Sequence, residues 1–159
     1  MQSNLFSTPI WHYKIDFKED LIDRIHDLMA LDPEGRKYTN MGGWQSKDIN
    51  RDPKFADVID SINKLLPEVY SQFMDMTNGK PILLSTWINV NRGRDFNTPH
   101  IHPFSHLAGC FYVKCNRNSG SITFTNPSFD ILNHYDLSSG NAKESAIQTH
   151  ASYKPIVGE

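Results

Sequence analysis

The sequence predicts an α+β fold with a mainly β core, a sandwich or jelly roll with helices packed on the outside of one sheet. The hydrophobic period changes near residue 80, from a helical period of about 3.6 to a strand period of two. Short strand-like runs separated by turn residues then follow. The length of 159 residues, 38% of them hydrophobic, suits one domain with a buried core. We therefore expect a single domain, with an N-terminal strand and helices in residues 1–79 and the β core in residues 80–159.

The first elements are an edge strand and a helix. Residues 6–14 are rich in β-branched and aromatic side chains, and Pro9 favours an edge position because it cannot donate to a strand ladder. Asp16 is expected to cap the following helix, with Glu19 as its capping-box partner. The apolar stripe of that helix has helical spacing, and residues 32–35 end it. The stripe comprises Leu21, Ile25 and Leu28, widened by Ile22 and Met29.

A polar loop separates this helix from a longer one. Residues 36–51 carry few apolar side chains, and such a loop is a candidate for a functional segment. Asp52 is a good N-cap and Pro53 suits the first helical position. Because Pro67 removes one hydrogen bond of the helix, we expect a kink or a break there. The helix should end at residues 78–79.

The second half of the chain is predicted to contain four strands. The run at residues 107–114 is almost continuously apolar, which is typical of a strand buried on both faces. Turns are expected at residues 93–95 and 116–120, and an irregular excursion at residues 128–145. The predicted strands are residues 82–91, 107–114, 121–125 and 147–153.

Composition excludes several classes of protein. The net charge of -2, with charges of mixed sign, predicts no binding to nucleic acid or to anionic lipid. No apolar run reaches the length of a membrane span, and the first residues do not resemble a secretory signal, so a cytoplasmic location is expected. Cys110 and Cys115 would lie on opposite faces of one strand, so neither a disulfide nor a zinc site is predicted.

A close pair of histidines is the strongest chemical signal. His100 and His102 are two residues apart, so an extended segment projects both imidazoles to one face, where they could share a metal ion. The polar segment before them and the apolar run after them place the pair at a barrel mouth, a common ligand site. His106 is near, but Pro103 should break the register, so His106 is expected outside the ligand set. Spacing alone leaves surface histidines as an equal alternative.

A set of segments along the chain carries a family likeness: residues 6–11, 87–91, 97–103, 105–113, 120–124, 126–127 and 155–159. These segments resemble a group of 2-oxoglutarate/iron(II) oxygenases found in marine bacteria and phages. The likeness spans nearly the whole chain and is fairly specific for the family, but it does not identify a substrate. It implies a double-stranded β-helix, a cupin-like jelly roll whose helices support one sheet.

The resemblance implies a dioxygenase that uses Fe(II) and 2-oxoglutarate to hydroxylate a small molecule or a peptide. His100 would be the first iron ligand, and His102 stands where many such enzymes hold Asp or Glu. This departure removes a negative charge that normally offsets the metal. His150 is the preferred third ligand within the chain, followed by His134. By position, Asn89, Asn91 and Tyr112 are candidate groups for binding 2-oxoglutarate or lining the pocket.

The end of the chain is a second departure from the family. Relatives continue beyond a turn like residues 155–159 and supply a distal His and an Arg that pairs with 2-oxoglutarate. We therefore expect a C-terminally truncated chain that is a poor or inactive catalyst. Missing strands would leave open sheet edges, which predicts a homodimer or a strand-swapped oligomer.

Two other classes of function compete with the oxygenase. The chain could be a jelly roll that binds a metal or another ligand without oxygenase chemistry. It could also be a structural or assembly protein, although a scaffold has no need of paired imidazoles at a barrel mouth.

Overall fold

The computed structural model describes residues 8–127 and 150–159. Within these ranges the chain forms two compact units, each described by itself. The first comprises residues 8–114 and 157–159, and the second comprises residues 115–127 and 150–156. The architecture is α+β, with two α-helices and three antiparallel pairs of short strands in the described residues. None of the described helices has the length and apolar character that crossing a bilayer requires.

Helix α1 spans Leu21–Leu31 and buries Leu21 and Ile25, as the apolar stripe predicted. It ends at Asp32, whose backbone N–H donates to the Leu28 carbonyl at 3.1 Å. The predicted start at Asp16 is wrong, because Asp20 occupies the N-cap position. The packing of Phe17 explains the later start. Its ring packs edge-on against the ring of Phe111, with ring centroids 5.6 Å apart, and this contact holds the segment outside the helix.

The described part of the predicted edge strand, residues 8–14, is not a strand. It lies along the second helix instead. The Trp11 indole donates to Gln72 at 2.6 Å, and the Tyr13 hydroxyl donates to Glu68 at 3.1 Å. Within the segment Trp11 and Tyr13 are half-buried and their neighbours are exposed. The predicted edge strand is therefore wrong, because the surface that buries these side chains is a helix rather than a sheet.

Helix α2 spans Ala56–Ser71 and begins three residues after the predicted first position, Pro53, although Asp52 acts as a cap. The Asp52 carboxylate accepts a hydrogen bond from the Lys54 amide at 2.9 Å, and a short 3-10 turn, Pro53–Phe55, leads into the helix. The expectation of a kink or a break at Pro67 is wrong as to the break, since the helix continues through it. The kink stays a prediction. Pro67 has no backbone N–H group, so the carbonyl of Asn63 lacks its usual donor within the helix. Pro67 and Asn63 are both exposed, and water can supply the missing hydrogen bond.

The predicted end of that helix at residues 78–79 is also wrong. The α-helix stops at Ser71, and a separate 3-10 turn, Met76–Asn78, follows. The Asp75 carboxylate caps that turn by accepting from the Thr77 amide at 2.9 Å.

The core of the first unit is built from helices and a loop, so the prediction of a mainly β core is wrong for this unit. Phe55 is 1% exposed and Leu21 is 2% exposed. The short strands contribute Trp44, which is buried outside this cluster, and partly buried side chains such as Val90 that pack against it. Two-residue strands present too little apolar surface to replace the helix faces. The buried cluster comprises Leu21, Ile25, Ile49, Phe55, Val58 and Ile59.

The predicted loop at residues 36–51 contains two strands, β1 (Asn40–Met41) and β2 (Trp44–Gln45). Strand β2 pairs antiparallel with β3 (Asn89–Val90), with Trp44 opposite Val90. Strand β1 pairs antiparallel with β4 (Phe96–Asn97). The predicted strand at residues 82–91 is thus reduced to β3.

Residues 107–114 do not form the predicted buried strand. Phe111 and Val113 pack on the core from one side, whereas Cys110 is exposed. Hydrogen bonds of 2.8 Å join the Tyr112 amide to the Glu159 carbonyl and the Gly158 amide to the Tyr112 carbonyl. An apolar composition therefore misled the prediction, because burial here is one-sided. Cys110 and Cys115 are free thiols, as predicted.

The second unit contains strands β5 (Ile122–Thr125) and β6 (His150–Tyr153), which pair antiparallel. Both lie within predicted strands. The turn at residues 116–120 is confirmed by a 2.9 Å bond from the Ser119 amide to the Asn116 carbonyl. The predicted excursion at residues 128–145 lies outside the described residues. In the described ranges the strands form three separate pairs, so the jelly roll is not confirmed.

Candidate metal centre

The two histidines of the predicted pair lie side by side, just after strand β4. The rings of His100 and His102 meet edge to face, with centroids 4.9 Å apart and an interplanar angle of 82°. His100 is exposed and His102 is half-buried. The structure therefore brings together the two imidazoles that their spacing predicted to share one face.

The imidazole of His100 is fixed by its own backbone. Its Nδ1 lies 2.7 Å from the carbonyl oxygen of Thr98. A carbonyl can only accept, so Nδ1 carries the proton and donates it. In this tautomer the lone pair lies on Nε2, which is therefore free to bind a metal ion. A hydrogen bond from the second ring nitrogen is the usual way in which a ligating histidine is oriented.

An indole ring packs beside His102. The Trp87 and His102 ring centroids are 5.6 Å apart, with an interplanar angle of 42°. Trp87 precedes strand β3, and His102 follows strand β4, so this contact joins the two sides of the site. The indole restricts the movement of the His102 ring and adds an apolar wall next to it.

His106 is directed to helix α2 rather than to the pair. Its Nδ1 lies 3.1 Å from the Tyr70 hydroxyl, and the two ring centroids are 5.9 Å apart. The backbone turns between the histidines, since Phe104 has a φ of 66°. This turn is the register break that Pro103 predicted, and it separates His106 from the pair.

The two imidazoles are close enough to bind one metal ion. Their ring centroids are 4.9 Å apart. A metal–nitrogen bond of about 2.1 Å places each ring centre about 3.2 Å from the metal, so two ligating rings have centres at most about 6.4 Å apart. In residues 8–127 and 150–159, no group of three or more His, Cys, Asp or Glu side chains could hold a metal. The described chain therefore supplies two neighbouring donors.

The other predicted site residues lie on different elements. Asn89 is exposed on β3, opposite Gln45. Tyr112 is half-buried, and its backbone pairs with residues 158–159. His150 begins β6 in the second unit, opposite Thr125. His134 lies outside the described residues. Their predicted roles stay predictions.

Asn91 is connected to the histidine segment. Its amide nitrogen donates to the Asn97 side-chain oxygen at 3.2 Å. A Cβ atom at Gly43 would lie 2.2 Å from the Asn91 side-chain oxygen, so glycine is needed for this close approach. Asn91 therefore packs between the Gly43 turn and the strand that leads to His100.

Sequence reasoning missed the residues that support the pair from the loop. Asn40 is 6% exposed, and its amide nitrogen donates to the carbonyls of Arg36 and Gly43 at 3.0 and 2.8 Å. Its side-chain oxygen accepts from the Tyr38 amide at 2.9 Å. An Asn followed closely by two glycines is a turn signal, and it could have indicated an ordered loop.

One comparison with known proteins bears directly on these histidines. Residues 85–159 match the model of the family described as "Putative 2OG-Fe(II) oxygenase". The match covers 75 of 159 residues and includes His100, His102 and His150. No curated protein and no solved structure matches the chain. The match supports the resemblance to Fe(II)/2-oxoglutarate oxygenases for the second half of the chain, and that family implies iron(II) and 2-oxoglutarate as cofactors.

Proposed function

We propose that this chain is an Fe(II)/2-oxoglutarate-dependent dioxygenase that hydroxylates its substrate, and that His100 and His102 hold the iron. The observation that carries the proposal is the pair of adjacent imidazoles, one of them fixed in the tautomer that exposes Nε2. The pair lies inside the segment that matches the oxygenase family. The proposal therefore rests on the histidine pair and not on the fold.

The chemistry requires two substrates and dioxygen. Dioxygen would be the oxidant and bound iron(II) would activate it: 2-oxoglutarate, dioxygen and a substrate C–H bond give succinate, carbon dioxide and a C–OH group. The part of the chain described above orients the donors. The Thr98 carbonyl holds Nδ1 of His100, and Trp87 restricts the ring of His102.

The charge of the site follows from its ligands. Two neutral imidazoles bring no negative charge to iron(II), whereas the usual facial triad includes one carboxylate. In the proposed site the negative charge must therefore come from elsewhere, and 2-oxoglutarate carries two carboxylates. We expect 2-oxoglutarate to strengthen iron binding in this chain.

The remaining parts of the site belong to the same proposal. His150 is the proposed third ligand, and Asn89, Asn91 and Tyr112 are the proposed groups for 2-oxoglutarate or the substrate. The family match supports a jelly-roll arrangement for the second half of the chain. The substrate is proposed to be a small molecule or a peptide. Residues 36–51 and the predicted excursion at residues 128–145 are the segments proposed to select it.

A second copy of the chain is the proposed protein partner. Strands β5 and β6 pair with each other in a two-stranded sheet, and the edge of such a sheet can accept a strand from another chain. The proposed assembly is a homodimer or a strand-swapped oligomer. A cytoplasmic location is also proposed, and the free thiols of Cys110 and Cys115 suit a reducing compartment.

Anaerobic titration with iron(II), followed by calorimetry, tests the metal site. His100→Ala and His102→Ala should each weaken binding by more than the 10–100-fold that loss of an outer-shell partner costs. His26→Ala is the matched control, because His26 is an exposed histidine on helix α1. Equal affinities in the wild type and in His100→Ala would overturn the assignment.

A second candidate is a protein that binds a metal without oxygenase chemistry. The described residues favour it in one respect, since they bring together two donors and no third. Such a protein would bind metal through His100 and His102 with an affinity indifferent to 2-oxoglutarate. The response to 2-oxoglutarate therefore separates the two candidates.

A further inference from the structure

We infer that Thr39 is a positioning residue for His100, which it reaches through Asn97 and Thr98. The inference rests on the proposed function, because it concerns how firmly a metal ligand is held. Thr39 lies outside the segment that matches the oxygenase family, in the loop at residues 36–51. It would therefore tie a loop from the N-terminal half of the chain to the metal ligand.

The loop around Thr39 is held rigidly. The buried amide group of Asn40 makes three hydrogen bonds, to the backbone at Arg36, Tyr38 and Gly43. These bonds fix the backbone on both sides of residue 39. A buried polar group that is fully bonded rigidifies the segment around it, since every alternative conformation leaves part of it unsatisfied. Thr39 is itself half-buried in this loop.

Two hydrogen bonds attach the strand that precedes His100 to Thr39. The Thr98 amide donates to the Thr39 carbonyl at 2.8 Å. The Asn97 amide nitrogen donates to the Thr39 hydroxyl at 3.1 Å. Asn91 donates to the oxygen of the same Asn97 side chain at 3.2 Å, so that side chain is bound from two directions.

This attachment affects the imidazole of His100 through the carbonyl of Thr98. The carbonyl of Thr98 accepts the Nδ1 proton of His100 at 2.7 Å. Because the amide of Thr98 and the side chain of Asn97 are both held by Thr39, the backbone that leads to that carbonyl is restrained. The carbonyl in turn fixes the tautomer and the rotation of the ring. A ligand already held in its binding orientation loses less entropy when the metal arrives.

The Thr39 hydroxyl can be removed with little change of shape. Thr39→Val keeps the β-branched side chain and the backbone bond to Thr98, and it removes only the acceptor for Asn97. Thr39→Ser restores the hydroxyl. Thr86→Val is the control, because the Thr86 hydroxyl also bonds to an asparagine, donating to Asn50 at 2.7 Å. Thr86 is also half-buried in the first unit.

Two measurements on the full chain test the inference. Anaerobic calorimetry gives the affinity for iron(II), and nitrogen-15 NMR of the metal-free protein gives the His100 tautomer, recorded well above the usual imidazole pKa of about 6.5. We expect Thr39→Val to weaken iron binding about tenfold, the lower end of the effect of an outer-shell partner. It should also shift His100 from the Nδ1–H form towards a mixture of tautomers.

The variants separate positioning from general stability. Thr39→Val and Thr86→Val should lower the unfolding temperature similarly, but only Thr39→Val should change the iron affinity and the tautomer. Thr39→Ser should restore both. Wild-type iron affinity and an unchanged tautomer in Thr39→Val would overturn the inference. Should His100→Ala bind iron as well as the wild type, the proposed metal site fails. In that case the tautomer in the metal-free protein still decides the role of Thr39.

Discussion

Replacing Asp57 by asparagine should remove a pH-dependent part of the stability of the chain. Asp57 on helix α2 forms a two-point ion pair with Arg24 on helix α1. The guanidinium donates from Nη1 to Oδ1 at 2.9 Å and from Nη2 to Oδ2 at 3.1 Å. Because parallel bonds of this kind are stronger than single surface contacts, the pair should stabilise the packing of the two helices.

The magnitude follows from the pKa of the carboxyl group. The hydrogen bonds from Arg24 lower the pKa of Asp57 from 3.8 to about 2, against the opposing effect of burial. A difference of nearly two units corresponds to about 2.5 kcal/mol at about 1.4 kcal/mol per unit. The Asp57 side chain is 27% exposed, so solvent screens the pair and we expect about 1–2 kcal/mol.

The sign of the pH dependence is fixed by the direction of the shift. A carboxyl group whose folded-state pKa is lowered stabilises the fold when it is ionised in both states. This contribution is present above about pH 4, and it is lost as the pH falls from about 4 to about 2. In the Asp57→Asn variant that part of the acid dependence should be absent.

Urea denaturation at pH 7 and at intervals between pH 4 and pH 2 measures both effects. Asp60→Asn is the control, since Asp60 is an exposed aspartate on the same helix. It should leave stability at pH 7 within about 0.5 kcal/mol of the wild type. An Asp57→Asn variant that matches the wild type in stability at pH 7 and in its acid profile would refute the reasoning.

Two further predictions concern the core and the assembly. Phe55→Ala should lower the free energy of unfolding by about 3–5 kcal/mol, because Phe55 is 1% exposed at the centre of the buried cluster. Urea denaturation measures this, and a cost below about 1 kcal/mol would show that the side chain is not packed as described. Light scattering over a range of protein concentrations should show a homodimer or a larger swapped oligomer, and a monomer throughout would exclude the proposed self-association.

Local chemistry explains the elements that the sequence predicted correctly. The cap at Asp52 and the turn at residues 116–120 depend on neighbours two or three residues away. The buried stripe of helix α1 follows from its spacing alone. The paired histidines are predictable for the same reason, because side chains two residues apart on an extended segment share a face.

Contacts between distant residues explain the errors. Asp16 is a good cap in isolation, but the packing of Phe17 against Phe111 holds the chain extended there. Residues 107–114 have the composition of a central strand, yet burial on one face does not create the two flanking strands that such a strand needs. Neither fact can be obtained from a window of neighbouring residues.

The support of the histidine pair, the proposed metal site, could not be predicted for the same reason. The hydrogen bond from Asn97 to Thr39 joins residues that are 58 positions apart. Nothing in the polar composition of residues 36–51 indicates which of them reaches the histidine segment. The buried Asn40 becomes recognisable as the organiser of the loop only when its three bonds are seen.

Calorimetry of 2-oxoglutarate binding, with and without iron(II), tests the central claim most directly. The measurement is made anaerobically on the wild type and on His100→Ala. If the chain is an Fe(II)/2-oxoglutarate oxygenase, 2-oxoglutarate should bind the wild type only when iron(II) is present and should bind iron-treated His100→Ala much more weakly. Binding that is equal with and without iron, or absent in both cases, would contradict the account.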